Sequence, residues 1–227
     1  QNLFPVEYAI KHKNDLLESG QYSGMLCDVF LESGNKLGTT KSNKQLAGFP
    51  FSGGVIDAPV QIFEMPQSNR FDDFIYVSGS DPYKQAKSDT PSLGAFYVFK
   101  RRVGIRDPYA YRIVASYVSR PSSIDQFCRT CEVLQKGYGA ICLMENADQM
   151  YEQYLNRKSG MPASFFLFAG EAIANKYVKA GSRQNSKLGL YPTPGNQNLL
   201  FSCVVDYCWQ DFVIGYDDST LSAYYGV

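Results

Sequence analysis

Phe74–Tyr83, FIYVSGSDPY, is an apolar β-run that ends in Gly79, Ser80 and an acid, Asp81, with Pro82 stopping the strand. A buried strand that carries a carboxylate at its C-terminal tip is a suitable mount for a metal ion. A second stretch has the same form: Ala140–Asn146, AICLMEN, ends at Glu145. A continuous apolar run of this kind predicts a strand buried on both faces. If the two strands lie side by side, Asp81 and Glu145 meet. Two oxygen donors on rigid strand ends suit a hard cation, Mg²⁺ or Mn²⁺. An unpaired acid at a buried edge is also costly, which argues for a partner at Glu145.

The elements around these strands follow from pattern. Leu93–Arg101 and Tyr111–Val118 read as strands. Short connections join them to Phe74–Ser80 as an antiparallel meander. Ser122 or Ser123 caps a helix running to about Lys136, with Ile124, Phe127, Cys128, Cys131 and Leu134 on one face. Gly137 and Gly139 end it. After the Glu145 strand, Ala147–Lys158 reads as a helix, Ser164–Ala169 as a buried strand and Glu171–Val178 as helical. Gly181–Leu188 is polar and basic and reads as a loop. Pro194–Gln210 has a helical pattern, and Phe212–Tyr216 with Leu221–Val227 form a hairpin. This is the ribonuclease H-like order: an α/β fold with a mixed five-stranded sheet, a three-strand meander plus parallel strands, flanked by helices. A C-terminal β-hairpin completes it.

The first part of the chain is less regular. Leu3–Ser19 reads as a helix and Met25–Leu31 as a short strand. Gly34–Gly54 is polar, glycine-rich and without periodicity, and reads as loop. It contains GNKLGTTKS, but Thr40 rather than Gly precedes Lys41, so it is not a phosphate loop. Val60–Met65 alternates as an edge strand. Residues 1–59 are therefore expected to form an N-terminal helix and linker, and 60–227 the main domain.

Composition narrows the classes. The chain has 227 residues, 44% of them apolar, with equal numbers of basic and acidic side chains. Bulk charge gives no argument for nucleic acid, so a basic surface must be local. Six cysteines occur, several within apolar runs, and buried free thiols in a reducing compartment are expected. The CxxC of Cys128 and Cys131 has no second pair, and the one histidine, His12, is far off in sequence, so a zinc site is not expected. Neither a signal peptide nor an apolar run of membrane-spanning length is visible. The chain reads as a piece of a longer protein.

Four stretches carry a resemblance: IYVSGSDPYKQAKSDTPSLGAFYVFK (75–100), YVSRPSSIDQF (117–127), AICLMENADQMYEQYL (140–155) and KLGLYPTPGNQNLLFSCVVDYC (187–208). Together they resemble the nuclease domain of the large terminase subunit of tailed phages, in the version of crAss-like gut phages. The resemblance implies endonuclease cleavage of concatemeric double-stranded viral DNA during packaging, in the host cytoplasm. It implies an ATPase part upstream, and a portal protein and small terminase subunit as partners. Carried onto this chain, Asp81 is the first metal ligand and Glu145 the second, in a two-metal site. Asp89 falls where an auxiliary acid sometimes occurs. The family's third acid lies on a helix after a hairpin. Here it either lies outside this chain or is one of Asp206, Asp211, Asp217 and Asp218. Contact with DNA backbone is expected from Lys84, Lys87, Lys176, Lys179, Arg183 and Lys187. Two other classes fit the same elements: a transposase- or resolvase-type enzyme of ribonuclease H-like fold, and a non-catalytic module docking DNA or a portal.

Overall fold

The computed structural model describes residues 5–19, 24–48, 51, 53–68, 75–83, 92–101, 112–146, 150–162, 165–167 and 188–212. They belong to two compact units, one drawn from 1–23 and 192–227, the other from 24–191.

The larger unit is an α/β layer with a mixed sheet. In chain order its strands are β1 (Met25–Glu32), β2 (Lys36–Lys41), β3 (Val60–Ile62), β4 (Tyr76–Asp81), β5 (Gly94–Lys100), β6 (Arg112–Ser119) and β7 (Ile141–Met144). They lie in the order β2-β1-β3-β6-β5-β4-β7. β4, β5 and β6 form the antiparallel meander that their short connections predicted. β7 instead runs parallel to β4. Parallel neighbours need a crossover, and the helix α1 (Ile124–Tyr138) supplies it.

Helix α1 has clear start and stop chemistry. The Ser123 side chain accepts a hydrogen bond from the Asp125 N–H at 3.2 Å, a cap worth about 1 kcal/mol. Gly139 stops the helix in the left-handed region at φ 64°, and its N–H and that of Ala140 satisfy the Lys136 and Gln135 carbonyls. Phe127, Cys128, Cys131, Leu134 and Tyr138 are fully buried against one sheet face. Burying a side chain the size of Leu134 contributes about 1.5–3 kcal/mol. Strand alternation places Tyr76, Ser78, Ser80, Phe96, Val98, Cys142 and Met144 on that same buried face. Lys100 shares it, paired with Glu64 Oε1 at 2.6 Å.

Two expectations need correction. The sheet has seven strands rather than five. β1, β2 and β3 extend it beyond β6, so β3 is interior rather than an edge, and the sheet runs across residue 60, where a boundary was expected. Nor is Gly34–Gly54 all loop. Gly34 and Asn35, at φ 73° and 59°, turn the chain so that Lys36–Lys41 pairs with β1. KLGTTK has one large apolar residue, Leu37, which buries against Gly137 of α1. A strand anchored by one side chain leaves no periodicity to read.

Helix α2 (Met150–Tyr154) continues into a π-type turn, Leu155–Ser159. Of the expected strand at 164–169, Phe166 makes a parallel bridge to Cys142. The stretch 171–178 and most of 181–188 lie outside the described residues.

In the smaller unit, α3 (Val6–Ser19) touches α4 (Pro194–Phe212). Phe212, expected to open the hairpin, is the last residue of α4, and 213–227 lie outside the described residues. None of the six cysteines is in a disulfide. Cys27, Cys128, Cys131 and Cys142 are buried, but Cys203 is exposed on α4. Among the described residues no helix is long and apolar enough to cross a membrane.

Candidate active site

The parallel ladder between β4 and β7 runs from Val77↔Ile141 to Ser80↔Met144. One step further, the Glu145 N–H donates to the Ser80 carbonyl at 2.7 Å. The next pair in register is therefore Asp81 beside Glu145, at the C-terminal ends of adjacent parallel strands. Strand alternation puts both on the face turned away from α1. Asp81 is exposed and Glu145 is half-buried. Gly79, two residues before Asp81 on the same face, has open space where a Cβ would stand. Its cross-strand partner Tyr97 is 40% exposed.

Described residues near both acids are held by hydrogen bonds and packing. Beyond Asp81, the Tyr83 hydroxyl donates to the Pro121 carbonyl at 2.7 Å, and its ring meets Phe127 edge-on. Burial, foremost, pushes the Tyr83 phenol up to about 12. The Arg120 guanidinium lies 5.3 Å from the centre of that ring, and its Nη1 donates to the Ser92 carbonyl at 2.8 Å. Arg120 thus contacts both Tyr83 and Ser92.

Beyond Glu145, a short strap, Leu188–Leu190, lies along the outer side of β7. Leu190 N–H donates to the Met144 carbonyl at 2.8 Å, and Asn146 N–H to the Leu190 carbonyl at 3.0 Å. Gly189 sits at φ 72°, and a Cβ there would stand 2.3 Å from the Met144 carbonyl oxygen. Only glycine allows so close an approach. Asn146 is buried, and its Nδ2 donates to the Leu188 carbonyl at 2.7 Å and to Glu152 Oε2 at 3.1 Å.

The fold therefore brings together Asp81 and Glu145. Asp206 is exposed on α4, in the other unit. Asp89, Lys84, Lys87, Lys176, Lys179, Arg183 and Lys187 lie outside the described residues, as do Asp217 and Asp218. Among the described residues no group of three or more His, Cys, Asp and Glu side chains could hold a metal ion. The two strand-tip carboxylates do offer the all-oxygen donors that Mg²⁺ or Mn²⁺ prefers. Sequence reasoning missed Arg120, Asn146 and the strap. The one available signal was the glycine of KLGLYP, which marks a close backbone approach. No family model, no curated protein and no solved structure matches the chain.

Proposed function

We propose that this chain is the nuclease part of a phage large terminase subunit, with a ribonuclease H-like sheet, hydrolysing phosphodiester bonds of concatemeric double-stranded viral DNA during packaging in the host cytoplasm. The observation that carries the proposal is the adjacency of Asp81 and Glu145 at the ends of parallel β4 and β7. The order β6-β5-β4-β7, with Phe166 bridged in parallel outside β7, supports the fold assignment.

In this reading Asp81 and Glu145 would hold Mg²⁺ or Mn²⁺ through their carboxylate oxygens. A two-metal arrangement when loaded supplies Lewis-acid polarisation and an activated water. Among the described residues nothing stands within 4 Å of where a Cβ on Gly79 would lie, so no side chain there blocks the face that carries the two acids. The portal protein and small terminase subunit are the partners proposed for the longer assembly. Asp89 and Asp206 are carried as candidate auxiliary acids. Lys84, Lys87, Lys179, Arg183 and Lys187 are carried as candidate backbone contacts.

The test is Mn²⁺-dependent nicking of supercoiled DNA. Asp81→Asn and Glu145→Gln each reduce cutting to background while the unfolding midpoint stays near that of the parent. Metal-stimulated cutting that survives both substitutions sinks the reading. A second reading, a non-catalytic DNA- or portal-docking module, is favoured by the pair of acids standing without a third among the described residues. DNA or portal binding with no metal uptake in calorimetry selects it.

A further inference from the structure

We propose that Asn146 is a positioning residue, which holds the Leu188–Leu190 strap against β7 and thereby fixes the direction of Glu145; this rests on the nuclease reading above. Glu145 is clamped on two sides. Its own N–H bonds Ser80 of β4, and the residues flanking it, Met144 and Asn146, exchange backbone hydrogen bonds with Leu190. Among the described residues the strap is tied by four bonds. Two run between its backbone and that of β7's end, and a third goes from Gly189 N–H to the Leu167 carbonyl at 2.9 Å. The fourth is the Asn146 side chain on the Leu188 carbonyl at 2.7 Å. It comes from a residue 1% exposed, so water does not compete with it.

The amide orientation follows from its neighbours. Nδ2 faces a carbonyl and a carboxylate, both acceptors, so the flipped amide would set oxygen against oxygen. Oδ1 is buried without a hydrogen-bond partner among the described residues. A side chain that tolerates one orphaned acceptor to make two donations is tuned for those donations. A residue without the amide leaves the Leu188 carbonyl and Glu152 without this donor. The strap then loses its side-chain tie and Glu145 its outer wall. Outer-shell partners of this kind typically change metal affinity by about 10–100-fold.

The experiment compares the parent chain with Asn146→Leu and the milder Asn146→Ser. Three quantities are read: the unfolding midpoint, hydrogen exchange of the Leu190 and Asn146 amides, and Mn²⁺ affinity by calorimetry. The expected result is a folded protein with exchange at both amides faster by about tenfold or more. Mn²⁺ binding is then weaker by about tenfold or more. A merely structural role lowers the midpoint and leaves the Mn²⁺ affinity of the folded protein unchanged, which overturns the proposal. Unchanged exchange at both amides also overturns it. If the parent itself takes up no Mn²⁺, the nuclease reading fails first and the positioning role goes with it. A binding parent with equally binding variants fails the positioning role alone. Asn146→Ser decides the matter if Asn146→Leu does not fold.

Discussion

Lys100→Met removes the cation from a buried pair and tests the polar account of the core. Lys100 is 1% exposed and Glu64 15%, and they meet at 2.6 Å at the opposite end of β4 from Asp81. Without the ammonium, the Glu64 carboxylate keeps a Gln67 Nε2 contact at 3.3 Å, while its Oε2 is already buried without a hydrogen bond among the described residues. Breaking such a pair from one side costs about 3–5 kcal/mol, because a charge is left unpaired. A typical domain has only about 5–15 kcal/mol in all. For a chain of this size the midpoint falls on the order of 10 °C. Lys100→Met with Glu64→Leu removes both charges and recovers most of the loss. Urea and thermal denaturation of parent, both single variants and the double give the coupling energy. A Lys100→Met cost below about 1 kcal/mol, or a double variant no better than that single, refutes the reasoning.

Two further outcomes follow from side-chain environments. Burial raises the Glu132 carboxyl, but hydrogen bonds from Lys136, Ser159 and Tyr154 outweigh it and hold the group below its ordinary value. The sign is that of a depressed acid: its stabilisation is present above about pH 4.3 and is lost as pH falls through the folded value. Glu132→Gln therefore flattens the acid limb of a stability-versus-pH curve, and an unchanged limb speaks against the network. Thiol labelling is the other case. Burial pushes Cys128 and Cys142 up to about 12, and Cys27 to about 11. In native protein Cys203 is alkylated first, and the thiols of Cys27, Cys128, Cys131 and Cys142 react only on unfolding, which mass spectrometry of timed samples checks.

Local signals carried the central part of the fold. The apolar run that ends at Gly79, Ser80 and Asp81, the Ser123 cap and the Gly139 stop are written within a few residues each. Together they force a strand, a helix and a returning strand. The adjacency of Asp81 and Glu145 follows once β7 is parallel to β4. What was illegible is long-range. β2 is held by pairing with β1 and by one leucine under α1, and neither has a local pattern. The choice of β6 as the strand that accepts β3 is a tertiary decision, made by few residues: Gln61 opposite Ser116 and Ile62 opposite Ala115. Asn146 looked like the ordinary end of a strand. Its role depends on Leu188, a residue distant in sequence.

The two faces of β4 and β7 answer to different demands. Side chains at 76, 78, 80, 142 and 144 turn toward α1, whereas those at 81 and 145 turn away from it. Selection for a tight interior and selection for chemistry thus act on alternate letters of the same two words. Interior letters can drift among residues of similar volume with the acids kept in register, and the outward letters can be rewritten with little loss of cohesion.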